Sequence, residues 1–263
     1  MKPTRRLVVM PDLHAPWLDR AAFKCMLGGI EVVKPTGFVC LGDFWEGDSA
    51  SHWQWRKKKR PPLEYQLPAI DQEIADASFW LDELDKTLAN NKVKQKIFCQ
   101  GNHDEWLDRL VVENPFLKNT AHPCGKGYMF QDAFNIRKRG YKYYQMGEYV
   151  QVGKLYFYHG HHYAGIHHAR NHLLSLGANV MYGHHHDVQH REVTHIDGAK
   201  GAWSIGCLTS MEHEHNEFLG RRKTNWGHAF AVVDFFGGGN FTVDVVRIVN
   251  GQCTVWGEHI NGN

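Results

Sequence analysis

Several absences narrow the class of this chain. Its six cysteines (Cys25, Cys40, Cys99, Cys124, Cys207 and Cys253) form no Cys-x-x-Cys pair and no tight framework. That pattern argues against a disulfide scaffold or cysteine-bound zinc and leaves reduced, packing residues. No apolar run approaches the ~18 residues of a membrane span. The N-terminal MKPTRRLVVMPDLH holds only a four-residue apolar stretch, too short for a signal-peptide core, so a cytoplasmic location is expected. The formal charge of +2 is too slight to declare a nucleic-acid partner, and any such argument has to be local. There is no internal repeat and no flexible linker, and Pro61 and Pro62 punctuate a loop. With 263 residues, 43% of them hydrophobic, the expectation is one domain over 1–263 carrying an insertion at about 47–67.

What is present in excess is histidine. Nineteen are scattered between His14 and His259, and imidazole is both the commonest transition-metal ligand and the usual proton carrier near neutral pH. Residues 5–10 read as a β-branched strand, 20–33 as a helix, GFVCLGD as a second strand and KIFCQGN as a third. Between the last two, Ile70, Ile74, Ala77, Leu81, Leu84 and Leu88 recur by fours and threes, which predicts a helix over 69–90 with one apolar face. This alternation implies parallel βαβ units, whose functional groups gather at the carboxyl ends of the strands. From about residue 149, glycine-punctuated segments (YVQVGKLYFYHG, NVMYGHHH, GAWSIGCL, AFAVVDFF, FTVDVVRIV, CTVWG) and a helix at 166–177 predict a second sheet packed on the first.

Each predicted strand ends in a polar cluster. Asp12 and His14 follow the first, Asp43 the second, Asn102 and His103 the third, His159 a later one, and His184 and His186 the segment YGHHHD. Crowding such groups at the mouth of a buried strand is costly unless something binds them. If extended geometry persists, Asp12 and His14 face the same way. Taken singly, Asp12 or Asp43 reads as a helix cap or turn former and His159 as a core histidine. Asp104 and Glu105 suit the first turn of a helix, DEWLDRLVV, where negative charge complements the dipole.

In order along the chain, Asp-x-His, Gly-Asp, Gly-Asn-His-Asp, His and Gly-His-x-His resemble the motifs of the calcineurin-like metallophosphoesterase superfamily. The resemblance spans residues 6–186. It implies an α/β fold, a four-layer αββα sandwich with two mixed sheets, around two divalent metal ions. By motif position Asp12, His14 and His186 would hold one ion, Asn102, His159 and His184 the other, with Asp43 bridging. His103 would be the catalytic histidine that is not a ligand. Manganese is the first expectation for the metal, with zinc, iron, nickel or magnesium as alternatives.

The substrate is read from departures and additions. Ser/Thr protein phosphatases of this superfamily carry an arginine soon after the second motif, where this chain has Gly47 and Asp48. A terminal phosphate dianion thereby loses a natural partner. The insertion instead places Arg56, Lys57, Lys58, Lys59 and Arg60 beside Trp53, Trp55 and Tyr65, combining phosphate attraction with stacking surfaces. The same run also reads as a solvated charge run over packed tryptophans. A second cluster, Arg221, Arg222 and Lys223 with Trp226, and histidines 161, 162, 167 and 168 either extend that surface or, for the histidines, line a helix face. The expectation is a phosphodiesterase acting on nucleic acid, DNA favoured, similar to the DNA-repair exonuclease branch. The alternatives are a phosphomonoesterase on nucleotides or phosphoproteins and a non-catalytic scaffold.

Overall fold

The computed structural model describes residues 3–55, 59–212, 216, 219–220 and 222–263. In chain order the elements are β1 (Arg5–Met10), α1 (Arg20–Val33), β2 (Gly37–Cys40), α2 (Leu63–Asn90), β3 (Gln95–Cys99) and α3 (Asn102–Glu113), then β4 (Ala121–His122), β5 (Gly125–Lys126), α4 (Phe130–Ala133) and β6 (Tyr141–Tyr144). The second half holds β7 (Val150–Val152), β8 (Leu155–Phe157), α5 (His168–Leu176), β9 (Asn179–Tyr182), β10 (Val188–His195) and β11 (Gly198–Ile205). It closes with β12 (Ala229–Phe235), β13 (Phe241–Arg247), β14 (Gln252–Val255) and β15 (Glu258–Asn261).

Strand periodicity builds the layers. Along β1, Leu7 and Val9 face one way and Val8 and Met10 the other; Val39 and Phe38, and Ile97 and Phe98, divide likewise on β2 and β3. One set meets Phe157, Met181 and Ile205 in a core between two sheets. The other packs beneath α1, α2 and α3, where Ile70, Ile74, Ala77, Leu81, Leu84 and Leu88 are all buried. Each such Ile or Leu contributes about 2 kcal/mol of apolar burial. The outer face of the second sheet, with Tyr158, Val180 and Tyr182, is covered by Leu173 of α5. Helices, sheet, sheet and helix make the four-layer αββα sandwich.

The first sheet runs β13-β12-β1-β2-β3-β6, with β1, β2, β3 and β6 parallel. The second runs β10-β11-β9-β8-β7, mixed, with β8, β9 and β11 parallel. Two expectations need correction. The second half does not supply only a new sheet: β12 returns to pair antiparallel with β1, and β13 follows it as the edge. The helix expected from 69 begins at Leu63, just after the Pro pair, and runs through Pro68. A proline five residues into a helix removes one backbone donor, and the apolar face buried on the first sheet outweighs that loss. No helix among the described residues is long and apolar enough to cross a membrane. The cysteines are free, and all but Cys124 are buried.

Candidate metal centre

The carboxyl ends of β1, β2, β3, β8 and β9 open at one end of the sandwich, and each connection there carries a candidate ligand. After β1 the backbone leaves extended geometry, because the amides of Leu13 and His14 both donate to the carbonyl of Asp43, each at 3.0 Å. His14 therefore sits at φ 55°, and the expected two-residue alternation is not what aims Asp12 and His14. Asp43 (φ 46°), His184 (φ 66°) and His186 (φ 61°) also take the left-handed region, a cost of order 1 kcal/mol each that surrounding contacts must enforce.

Those contacts are specific. The Asp12 carboxylate accepts the His184 amide at 2.9 Å, and Asp43 Oδ1 accepts the His103 amide at 2.8 Å. Asp104 accepts the amides of Gly101 and Trp45, so it locks the start of α3 to the loop after β2. Glycines permit the close approach: a Cβ on Gly183 would overlap the Asp12 carboxylate, and one on Gly101 would overlap Asp43. Gly183→Ala is therefore expected to lower metal content while leaving the far-ultraviolet circular dichroism intact. Wild-type metal content in that variant would show that Asp12 has room to move.

The side chains converge in two groups. His14 Nε2 and His186 Nε2 lie 3.1 Å apart, with Asp12 Oδ2 at 3.2 Å from the latter. His159 Nε2 lies 2.9 Å from Asn102 Oδ1, 3.1 Å from His184 Nδ1 and 3.2 Å from Asp43 Oδ2. Asp43 Oδ2 is also 3.9 Å from His14 Nε2, which puts this carboxylate between the groups. His159 Nδ1 donates to the Leu41 carbonyl at 3.0 Å, so in the neutral ring Nε2 is a lone pair facing other acceptors. Acceptors held about 3 Å apart are the edges of a coordination polyhedron with bonds of about 2.1 Å. Asp12, His14 and His186, and separately Asp43, His159 and His184, are arranged so that each set could hold a metal ion.

The electrostatics agree with a cation. Burial works against the charged imidazole of His14, yet Glu46, Asp43 and Asp12 outweigh it and raise it to about 10. Burial likewise opposes the charge on His159, and Asp43 and Asp12 lift it to about 9. Burial and the neighbouring His159 push His184 down to about 3. Against its burial, Asp43 is held well below the usual carboxylate range by His159 and His103. Carboxylates at such depth require positive charge beside them.

His103 stands at the rim. Its Nδ1 donates to the Glu46 carbonyl at 2.7 Å, its ring lies against Trp106 at 3.9 Å, and it meets His14 edge-on at 4.6 Å. His103, His14 and Asp43 form a further set close enough for an ion. Sequence reasoning assigned no role to Glu46, whose carboxylate is 2.7 Å from His14 Nδ1. Its place three residues after Asp43 in GDFWEGD was the available signal. The turn after it is tied to α2 by Glu73, which accepts the Ser49 amide at 3.1 Å and its hydroxyl at 2.5 Å. Burial, with Asp48 nearby, raises Glu73 to about 7. A carboxyl raised on folding favours the native state below its unfolded value and loses that advantage as pH climbs to about 7. Glu73→Gln is thus expected to raise Tm by about 2–4 °C at pH 8 and little at pH 4, measured by thermal melts.

The basic and aromatic segment is divided. Arg56, Lys57 and Lys58 lie outside the described residues, as does Arg221. Trp53 is 50% exposed, Trp55 half-buried and Lys59 exposed. Arg60 is instead committed to Glu113 at 3.0 Å and Gln66 at 2.9 Å. The segment reaches the centre through rings: Trp53 contacts His52, His52 meets Trp106 edge-on, and Trp106 backs His103. Across the opening, Trp226 meets His186 at 4.4 Å, with Arg222 and Lys223 exposed nearby in sequence. Of histidines 161, 162, 167 and 168, only His168 is on a helix.

No protein-family model matches the sequence. The chain is 23% identical over 265 residues to the Gene 54 protein of Mycobacterium phage L5, covering 97% of this chain and 98% of that protein. Among solved structures it is similar to Vps29 of Chaetomium thermophilum, with TM-score 0.43 and 13% identity over 98% of this chain and 96% of that one. It is also similar to Thermotoga maritima protein TM1076, with TM-score 0.38 and 13% identity over 93% and 100%. The functional reading therefore rests on the residues of the centre itself.

Proposed function

We propose that this chain is a metallophosphoesterase with two divalent ions, manganese in the first instance, and that it hydrolyses phosphodiesters of nucleic acid, DNA before RNA. The observation that carries the reading is the meeting of seven donor side chains from five chain segments, neighbours within each group lying 2.9–3.2 Å apart and Asp43 reaching to 3.9 Å of His14 between the two groups. Asp12, His14 and His186 would hold one ion and Asn102, His159 and His184 the other. A pair of cations supplies charge to neutralise the phosphate and to activate water for in-line attack. The chain's own groups do the rest. Asp43 balances the charge between the two sets, Glu46 fixes the orientation of His14, and the Glu46 carbonyl fixes the tautomer of His103. That leaves His103 Nε2, which carries a proton only in the imidazolium form, to deliver that proton to the departing oxygen.

Nucleic acid is favoured by the position of His52 against Trp106, with exposed Trp53 for stacking and Lys59 for phosphate. Arg60 is held by Glu113. Neutralising Lys57, Lys58 and Lys59 together is expected to weaken DNA binding and flatten its salt dependence while sparing a small chromogenic diester. Equal loss on both substrates would remove the segment from nucleic-acid recognition. The reading as a whole is tested by reconstituting the protein with each of five metals and assaying a phosphomonoester, a phosphodiester, single-stranded DNA and duplex DNA. Turnover of diester and DNA with manganese is expected. A preference for the monoester would move the substrate to nucleotides or phosphoproteins, and no turnover under any condition would leave a scaffold.

A further inference from the structure

A second histidine cluster lies on the α5 side of the His184–His186 loop, made of side chains the hydrolytic reading does not use. His168 and His172 are buried on α5, and His185, between the two ligand histidines, points toward them. The three offer ligand atoms within 4.8 Å of one another.

Hydrogen bonding fixes two of the tautomers. His172 Nδ1 donates to the carbonyl of His168 at 2.8 Å. Its Nε2 is then a lone pair, buried and without a hydrogen bond of good geometry, with the Gly160 carbonyl close to the ring. His185 Nε2 is likewise buried without a hydrogen-bond partner. A ring whose one nitrogen donates to a backbone carbonyl while the other presents an unpartnered lone pair is arranged as metal-ligating histidines are. Leaving such atoms orphaned in the interior costs about 1–3 kcal/mol each, and two of them in one cluster ask for a common partner.

Ring orientation selects the ligands. His168 lies face to face with His185 at 4.0 Å and 18°, so one cation cannot sit in both ring planes. His172 stands at 87° to His185, which allows their in-plane lone pairs to meet at one point. His168 has other work: Nε2 donates to Asp187 Oδ1 and Nδ1 accepts the Tyr182 hydroxyl, both at 2.7 Å. It supports His185 from behind, and Tyr182 does the same for His172, stacked at 3.8 Å and 9°.

We infer that His172 and His185, buttressed by His168 and Tyr182, form a further cation site for a borderline transition metal such as zinc, between α5 and the loop carrying His184 and His186. An all-imidazole set suits zinc, copper or nickel and discriminates against magnesium and calcium. Two metal–nitrogen bonds of about 2.1 Å span up to about 4 Å, and a modest turn of the half-buried His185 closes the remainder. Such an ion would staple α5 to the loop in which two non-glycine residues hold positive φ.

The test is zinc content per chain, by elemental analysis of zinc-loaded, desalted protein. Wild type is expected to retain three ions, and His172→Phe and His185→Gln two each. Phenylalanine keeps the stack on Tyr182, and matching thermal melts establish that both variants are folded. Asp43→Asn is expected to keep the histidine-bound ion. Two ions in wild type and in both histidine variants would overturn the inference and leave the phosphoesterase reading standing. One ion, insensitive to Asp43→Asn and lost in His172→Phe, would uphold the inference and remove the dinuclear centre.

Discussion

Asp43→Asn is expected to abolish hydrolysis, by on the order of a thousandfold or more, which corresponds to about 4 kcal/mol of barrier. The two side chains have the same shape, so the effect isolates charge and donor character. Oδ1 accepts the His103 amide while Oδ2 faces His159 at 3.2 Å and His14 at 3.9 Å. An amide placed either way fails one partner: its NH2 opposes the His103 N–H or turns protons toward imidazoles that must present lone pairs. With the shared negative charge gone, a pair of ions at the strand ends would be held less tightly as well. Turnover of a small diester and isothermal metal titration measure the two consequences. Full activity in this variant would refute the bridging role.

His103→Ala is expected to leave the metal content of the wild type and to slow turnover about a hundredfold or more. Burial keeps its imidazole below the usual range, and its Nδ1 is committed to the Glu46 carbonyl. The other nitrogen is the one left to serve a leaving group, and it does so from the imidazolium, since the neutral ring presents a lone pair there. The deficit should therefore be larger for DNA, whose departing alkoxide needs a proton, than for a nitrophenyl ester, whose leaving group does not. Because His103 also lies within reach of a cation shared with His14 and Asp43, metal content is the deciding measurement. Loss of an ion would make His103 a ligand.

The order of polar clusters at strand ends is legible in the sequence because parallel βαβ units deliver every strand to the same end. That rule brings Asp12, Asp43 and Asn102 together without knowledge of any loop, whereas His159 ends a strand of the other sheet and joins them through the packing of the two sheets. How they are aimed is not legible. His14, Asp43, His184 and His186 are oriented by left-handed backbone and by long-range amide contacts, which leave no periodic trace. The strand β10 escapes notice because VQHREVTH is largely exposed and reads as polar. The return of β12 to the first sheet depends on a pairing partner more than two hundred residues away. Glu46 and the cluster of His168, His172 and His185 fall outside the motif pattern, and proximity in space is what gives them a role.

The pairing of β1 with β12 reaches from Arg5 opposite Phe235 to Val9 opposite Ala231. During synthesis, the strand leading to Asp12 emerges more than two hundred residues before β12 and keeps one flank unpaired until that partner arrives. Contacts of such separation are slow to close, and a bare flank invites pairing with another nascent copy. An ion held by Asp12 would therefore wait on the arrival of β12.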